Sequence, residues 1–258
     1  MIPKVIHWCW FGRGKLPYTA RKCIRSWKKK LPDYVIKLWN EDNFDIHCCK
    51  YVEEAYYARK FAFVTDYVRL YALYTEGGIY MDSDVEVIKR IDAYHNDVAF
   101  TGFESDVGCI TGIMGSEKGG KWVEDLLDAY EGRSLYLENG NLNLTTNVEY
   151  TAELMKQKGV DLSAGEINIP GYIHIYPRDY FCPKSWKTGE YRLTANTCTI
   201  HHFAASWWTK RDWYLRWVEQ RFGARGQYYV AYFWRPFSVV VRALCTAVMR
   251  RFKKVIGR

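Results

Sequence analysis

The sequence predicts an α/β fold, a Rossmann-like sheet flanked by helices, on three observations. First, an apolar run, a stretch of helical period and a second apolar run open the chain at βαβ spacing. Second, another helical stretch passes through a Gly-Gly pair straight into a short apolar run that ends in Asp82-Ser83-Asp84. Third, 48% of the 258 residues are hydrophobic and no Pro/Gly/Ser-rich linker divides them, which allows one large core and excludes a disordered protein. In such sheets ligands bind beyond the carboxyl ends of the strands.

Lys4 to Phe11 reads as a buried first strand ending at the Gly12-Arg13-Gly14 turn. Arg21 to Leu31 follows as an amphipathic helix with Cys23, Ile24 and Trp27 inward, closed by Pro32, and Val35 to Trp39 is the second strand. Apolar positions at mixed three- and four-residue steps from Ala62 to Glu76 predict a helix with Gly77 just past its end. Asp66 and Arg69, three apart, share one face of it. Ile79 to Met81 is then a short strand, Val85 to Ile88 continues extended, and Val98 to Phe100 is a further strand. Helices are expected near Lys121 to Tyr130 and Thr146 to Lys158, with short strands near Ile173 to Tyr176 and Cys198 to His202.

Charge is unevenly placed. Residues 209–258 hold twelve Lys/Arg against two Asp/Glu, so this tail carries +10 while the rest of the chain, of total formal charge +8, is near neutral at −2. A near-neutral body argues against nucleic acid as the main partner. The eight cysteines are scattered, no CxxC pair is present, and Met1-Ile2-Pro3-Lys4 leads directly into a strand with no signal peptide. Reduced thiols in a cytosol are the expectation.

Asp82 and Asp84 are the chemical signal. In a strand, residues i and i+2 point to one side, so both carboxylates can grip one hard divalent cation, Mg²⁺ or Mn²⁺, and leave its other positions to a diphosphate. A bare D-x-D triplet also occurs in any solvated turn. The longer segment from Thr65 to Asp84 resembles the signature of glycosyltransferase family 32, the capsule and lipopolysaccharide type related to yeast initiation mannosyltransferases and clostridial glucosylating toxins. Ile2 to Gly12 resembles that family's opening strand, and Ile200 to Trp208 its terminal histidine and Ser-Trp segment.

The resemblance implies a GT-A domain over residues 1–208. It implies that Trp10 stacks on the donor's base, that Asp66 and Arg69 hold donor-sugar hydroxyls, and that Ser206 with Trp207 or Trp208 touches the diphosphate. Tyr80 and Ser83 complete the expected donor contacts. His202, which precedes an aromatic as the family's ligand does, is preferred over His201 as the third metal ligand beside Asp82 and Asp84. Each has a bland reading: packing for Trp10 and Tyr80, a surface salt bridge for Asp66 and Arg69, a core or solvent-facing histidine for His201 and His202.

The activity implied is metal-dependent, retaining transfer of a hexose or N-acetylhexosamine from an NDP-sugar, UDP favoured, to a saccharide or lipid-linked oligosaccharide in surface polysaccharide synthesis. No residue stands out as a nucleophile, and Asp84 is expected to be the less replaceable aspartate. Glu104 and Asp106 are acceptor-side candidates in a loop after Phe100, and Thr145-Thr146-Asn147-Val148 departs from the relatives' pattern there.

In the tail, the aromatic run Tyr228 to Trp234 precedes a helix from Pro236 whose apolar residues are interrupted by Arg242, Arg250, Arg251, Lys253 and Lys254. It is too short between charges to cross a bilayer. It reads as an interfacial helix on the cytoplasmic face of an inner membrane, or else as a packing or dimer element. Two alternatives to an active enzyme remain: a nucleic-acid-binding protein using this tail, and an inactive sugar-nucleotide scaffold.

Overall fold

The structure is a computed structural model that describes residues 1–105 and 108–204, together with Tyr214, Trp217 and Val218. The chain divides into two compact units, Met1–Ala204 and Ala205–Arg258. In the second, the Tyr214 and Trp217 rings stack with centroids 6.1 Å apart; the expected tail helix and its basic residues lie outside the described residues, as do Asp106, Ser206, Trp207 and Trp208.

The first unit follows the predicted alternation. In chain order it comprises β1 (Val5–Cys9), α1 (Tyr18–Lys30), β2 (Val35–Trp39), α2 (Lys50–Tyr57), α3 (Phe61–Glu76), β3 (Gly78–Met81), β4 (Val85–Val87), β5 (Ala99–Ser105), β6 (Gly108–Cys109), β7 (Ile113–Ser116), α4 (Lys121–Asp128), α5 (Asn147–Gln157), β8 (Ile167–Ile169), β9 (Ile173–Tyr176), α6 (Arg178–Phe181) and β10 (Thr199–His201). The main sheet runs in the order β2-β1-β3-β7-β5-β9-β8, with β6 paired to β5. It is mixed: β1 pairs in parallel with β2 and β3, and β5 with β9, whereas β7 lies antiparallel between β3 and β5. The fold is the expected α/β, a mixed sheet flanked by helices.

Side-chain alternation sends each strand's residues into two separate cores. Ile79 and Met81 of β3 join Ile6, Trp8, Trp27, Val85 and Phe181 on one side, while Tyr80 joins Val64, Val68, Trp122 and Leu126 on the other. Because both faces are covered, the strands read as continuous apolar runs. Trp27 from α1 is fully buried, and its indole N–H donates to Val85 O at 2.7 Å, which fixes the chain just after the Asp-Ser-Asp triplet.

α3 ends where the glycine signal placed it. Gly77 takes φ +68 and Gly78 φ +114, a backbone path that L side chains rarely adopt. A Cβ on Gly78 would also lie 2.8 Å from Val5 O of the adjacent strand. Buried His7 stitches the same junction: its Nδ1 accepts from the Trp39 indole at 3.0 Å, so Nε2 carries the proton and donates to Gly77 O at 2.8 Å. Burial holds this imidazole neutral. Among the described residues no helix is long and apolar enough to cross a membrane.

Candidate metal and sugar-nucleotide site

Asp82 and Asp84 leave the carboxyl end of β3, but not as strand residues. Val85 N–H donates to Asp82 O at 2.9 Å, so Asp82-Ser83-Asp84-Val85 is a tight turn between β3 and β4. The turn, rather than strand alternation, puts both carboxylates on one side, and Ser83 is its second residue. β10 returns antiparallel to β4 with His201 opposite Val85, which brings His201 Nε2 to 3.4 Å from Asp84 Oδ1 and 4.0 Å from Asp82 Oδ2. One oxygen from each carboxylate and one imidazole nitrogen lie within 4.8 Å of one another.

This corrects the expected ligand. His202 faces away: its Nε2 pairs with Glu86 Oε2 at 2.8 Å, on a carboxylate that Lys22 also contacts at 2.8 Å. Neighbouring strand residues do face opposite ways, as anticipated, but the β10–β4 register gives the inward position to His201. The aromatic cue therefore misled: Phe203 follows His202 directly, yet its ring packs on His201, centroids 4.2 Å apart. Phe203 adopts the left-handed φ of +55, and the chain then directs Ala204 N–H back to Asp84 Oδ2 at 2.6 Å.

Each aspartate is anchored through one oxygen and turns the other toward His201. Asp82 Oδ1 accepts from the Tyr80 hydroxyl at 2.7 Å and lies 3.5 Å from Arg69 Nη2, leaving Oδ2 toward His201. Tyr80, fully buried, holds this ligand rather than reaching outward to a donor. Asp84 keeps Oδ1 for the centre while Oδ2 takes the Ala204 amide. Burial acts to raise the Asp84 carboxyl, but His201 and backbone amides outweigh it and hold it at about 2. Burial likewise disfavours the His201 imidazolium, and the Asp84 carboxylate overrides it to place the ring well above its ordinary pKa.

Gly112 is a site residue that no motif announced. Its carbonyl accepts Asp82 N–H at 2.8 Å, and a Cβ there would stand 3.2 Å from both Asp82 Oδ2 and His201 Cε1. Glu104 sits at the end of β5, not in a loop; burial pushes its carboxyl up, with His201, Asp82, Arg178 and Asp84 in electrostatic reach. Arg178 of α6, in electrostatic reach of Glu104, and Cys182 just after it, in electrostatic reach of His201, carried no sequence signal either.

Asp66 and Arg69 are not a surface pair. They are 8% and 5% exposed and bonded at 2.9 Å, and Arg69 also donates to Thr111 O at 2.6 Å and lies over the Tyr80 ring. Burial pushes the Asp66 carboxyl up to about 6 against the pull of Arg69. The sequence-predicted Trp10 is half-buried at the carboxyl end of β1, its indole N–H donating to Gly14 O at 2.7 Å. Its neighbour Cys9 is in electrostatic reach of Arg69, Asp82 and Asp66.

The ligand set fits a hard divalent cation. Oxygen and nitrogen ligands about 2.1 Å from such an ion stand roughly 3 to 4 Å apart; the two separations of His201 from the aspartates, 3.4 and 4.0 Å, fall in that range, and all three atoms lie within 4.8 Å of one another. The Nδ1 of His201 is buried with no hydrogen-bond acceptor.

Residues 17–101, about a third of the chain, match the family described as "Glycosyltransferase sugar-binding region containing DXD motif". No curated protein matches the chain. Among solved structures, it resembles the PaToxG glycosyltransferase at 17% identity, covering 61% of this chain and 70% of that one, with a TM-score of 0.47. A glycosyltransferase involved in glycosylation of the major capsid of PBCV-1 shows 16% identity, 79% and 95% coverage and a TM-score of 0.47. GlyE of Streptococcus pneumoniae TIGR4 shows 14% identity, 69% and 46% coverage and a TM-score of 0.38.

Proposed function

We propose that this glycosyltransferase, marked as one by the sugar-binding region in residues 17–101, transfers a hexose or N-acetylhexosamine from an NDP-sugar in a metal-dependent, retaining reaction. UDP is the favoured nucleotide, and the acceptor is a saccharide or lipid-linked oligosaccharide of a surface polysaccharide. The observation that carries this reading is the Asp82–Asp84–His201 cluster beside the buried Asp66–Arg69 pair.

A bound divalent cation supplies positive charge to the diphosphate as it leaves. The residues supply the rest. Asp82 and Asp84 hold the cation by fixed oxygens, because Tyr80, Arg69 and Ala204 N–H lock the other oxygen of each. Preorganised ligands of this kind need no rearrangement as charge develops. Mn²⁺ is favoured over Mg²⁺ by the imidazole nitrogen. On the family resemblance, Asp66 and Arg69 are assigned to hydroxyls of the donor sugar and Trp10 to its base; Ser206, Trp207 and Trp208, the diphosphate candidates, lie outside the described residues. Retention at the sugar carbon follows from the family resemblance, with attack on the face that the phosphate leaves.

The catalytic domain is assigned to residues 1–208. The basic aromatic tail, 209–258, is assigned to the cytoplasmic face of the inner membrane, where a lipid-linked acceptor would lie. A panel of nucleotide sugars with Mn²⁺, scored by release of nucleoside diphosphate, tests the activity. Release that stops in excess EDTA and in Asp84→Asn is expected; undiminished turnover under either condition rules the mechanism out.

A further inference from the structure

The outer face of α1 takes no part in the cation site, yet it is the most one-sided surface of the body. Ala20, Cys23 and Trp27 are the helix's buried residues, while Arg21, Lys22, Arg25, Lys28, Lys29 and Lys30 are all exposed. At 3.6 residues per turn, Arg21, Arg25, Lys28 and Lys29 fall on one stripe that starts at Tyr18 and runs roughly 17 Å along the helix. No Asp or Glu precedes Asp33 in the chain, and Asp33 is taken by Lys4 at 2.6 Å and Arg90 at 2.8 Å. Among the described residues only Lys22 of the six meets a carboxylate, Glu86 at 2.8 Å. Residues 1–208 total −2, so they carry −8 outside this helix.

Helix stability does not account for the stripe. Lys28, Lys29 and Lys30 suit the negative end of the helix dipole, but Arg21 stands near the positive end, where a cation is disfavoured. Arg21 with Arg25, and Arg25 with Lys28 and Lys29, are like charges three or four residues apart, which also oppose the helix. A carboxylate at any of these positions would relieve both effects, and none is present. Tyr18, 67% exposed, stands at the head of the stripe with the Arg25 guanidinium 6.0 Å from its ring.

The face is convex and firmly backed. Ser26 Oγ accepts Val87 N–H at 2.9 Å, beside the Trp27 bond to Val85, so α1 is pinned along β4 just after the Asp-Ser-Asp turn. It offers no Asn or Gln to read base edges and one aromatic for stacking, a poor match to nucleic acid. Phospholipid headgroups ask only for clustered positive charge, and roughly four to eight Lys/Arg on an amphipathic helix supply it. The Glu86 carboxylate that Lys22 contacts also meets His202 at 2.8 Å, close to the body's last described residue, Ala204, after which the +10 tail follows in sequence.

We infer that α1 docks the body on an anionic phospholipid surface, with Arg21, Arg25, Lys28 and Lys29 toward the phosphates and Tyr18 at headgroup depth. The apolar side of the helix is committed to the core, so the contact is electrostatic and α1 does not insert. It requires neither the tail nor the metal site.

Co-sedimentation of the full chain with phosphatidylcholine vesicles, with and without phosphatidylglycerol, tests it. Binding should need the anionic lipid and weaken as salt rises. The variant Arg21→Gln/Arg25→Gln/Lys28→Gln/Lys29→Gln should lose about tenfold or more in affinity, whereas Arg21→Lys/Arg25→Lys, which keeps the charge, should stay within about twofold. Circular dichroism checks the fold of each, and Lys28→Gln/Lys29→Gln, with a loss of roughly fivefold or more, decides if the four-site variant does not fold. Equal binding to neutral vesicles, a folded α1 variant that binds as the parent does, or release from the vesicles by a DNA duplex that binds through the same four residues overturns the proposal. Arg250→Gln/Arg251→Gln/Lys253→Gln/Lys254→Gln, run in parallel, reports on the tail: loss there with none in the α1 variant sinks α1 docking and keeps the tail assignment, the reverse sinks only the tail, and no binding by the parent sinks both.

Discussion

His201 Nε2 faces Asp84 Oδ1 across 3.4 Å, while the adjacent His202, just past the end of β10, turns the other way to Glu86. Exchanging these neighbours therefore separates metal binding from scaffold. His201→Ala and Asp84→Asn should each weaken Mn²⁺ binding by roughly 100-fold or more, since even groups one step further from a metal are worth about 10- to 100-fold. His202→Ala should leave it within about twofold, because that ring touches no ligand atom. Calorimetric or electron-paramagnetic titration of Mn²⁺ decides, and the idea fails if His202→Ala loses the ion while His201→Ala keeps it.

Binding should also depend on pH. Because Asp84 and its neighbours hold the His201 pKa well above its usual value, the metal-free ring is protonated near neutrality, and a cation must displace that proton. Affinity is thus expected to rise with pH from 6 to 8, with close to one proton released per ion. In the metal-free protein the sign for folding is opposite: the imidazolium's contribution is complete below the unfolded histidine value of about 6.5 and fades as pH climbs through the raised one. Titration in two buffers of different ionisation enthalpy would show no proton release if the ring were neutral.

Gly112→Ala probes close approach without touching a ligand. The added methyl would stand 3.2 Å from Asp82 Oδ2 and from His201, tighter than ordinary contact, so one ligand must shift. The variant should fold, with Mn²⁺ affinity reduced about tenfold, on the scale of other supporting groups. Unchanged affinity would show that the ligands have slack.

Trp27→Ala tests the wall behind the triplet. It empties a fully buried indole site and removes the bond to Val85 O, for a loss of about 3 to 5 kcal/mol. Urea unfolding monitored by far-ultraviolet circular dichroism should show this as a lower midpoint. A loss under about 1 kcal/mol would mean that the two-core packing tolerates the void.

The parts of the fold that were legible are those governed by local chemistry. β2 and β9 lie where their apolar runs put them, α3 ends at Gly77, and α5 begins after Thr146, whose side chain and Glu149 form a reciprocal cap. β7 was not foreseen, because Ile113 to Ser116 is too short and too mixed to signal a strand that separates β3 from β5. The aspartates of the site were legible through their motif. The choice of His201 was not, since it depends on the register of two three-residue strands, and a one-residue slip would have exchanged the histidines. Gly112 and Glu104 owe their importance to neighbours remote in sequence, which no local pattern records.

The pairing of β10 with β4 also orders events during synthesis. The last strand of the main sheet is complete at Tyr176, whereas the cation's third ligand arrives only at His201. A nascent chain can thus assemble its sheet with two aspartates still waiting for their histidine. This contact spans most of the domain and belongs among those that form late. A ribosome-bound chain stalled just short of β10 would be folded and unable to retain the ion, so competence for the metal reports that the domain has been finished.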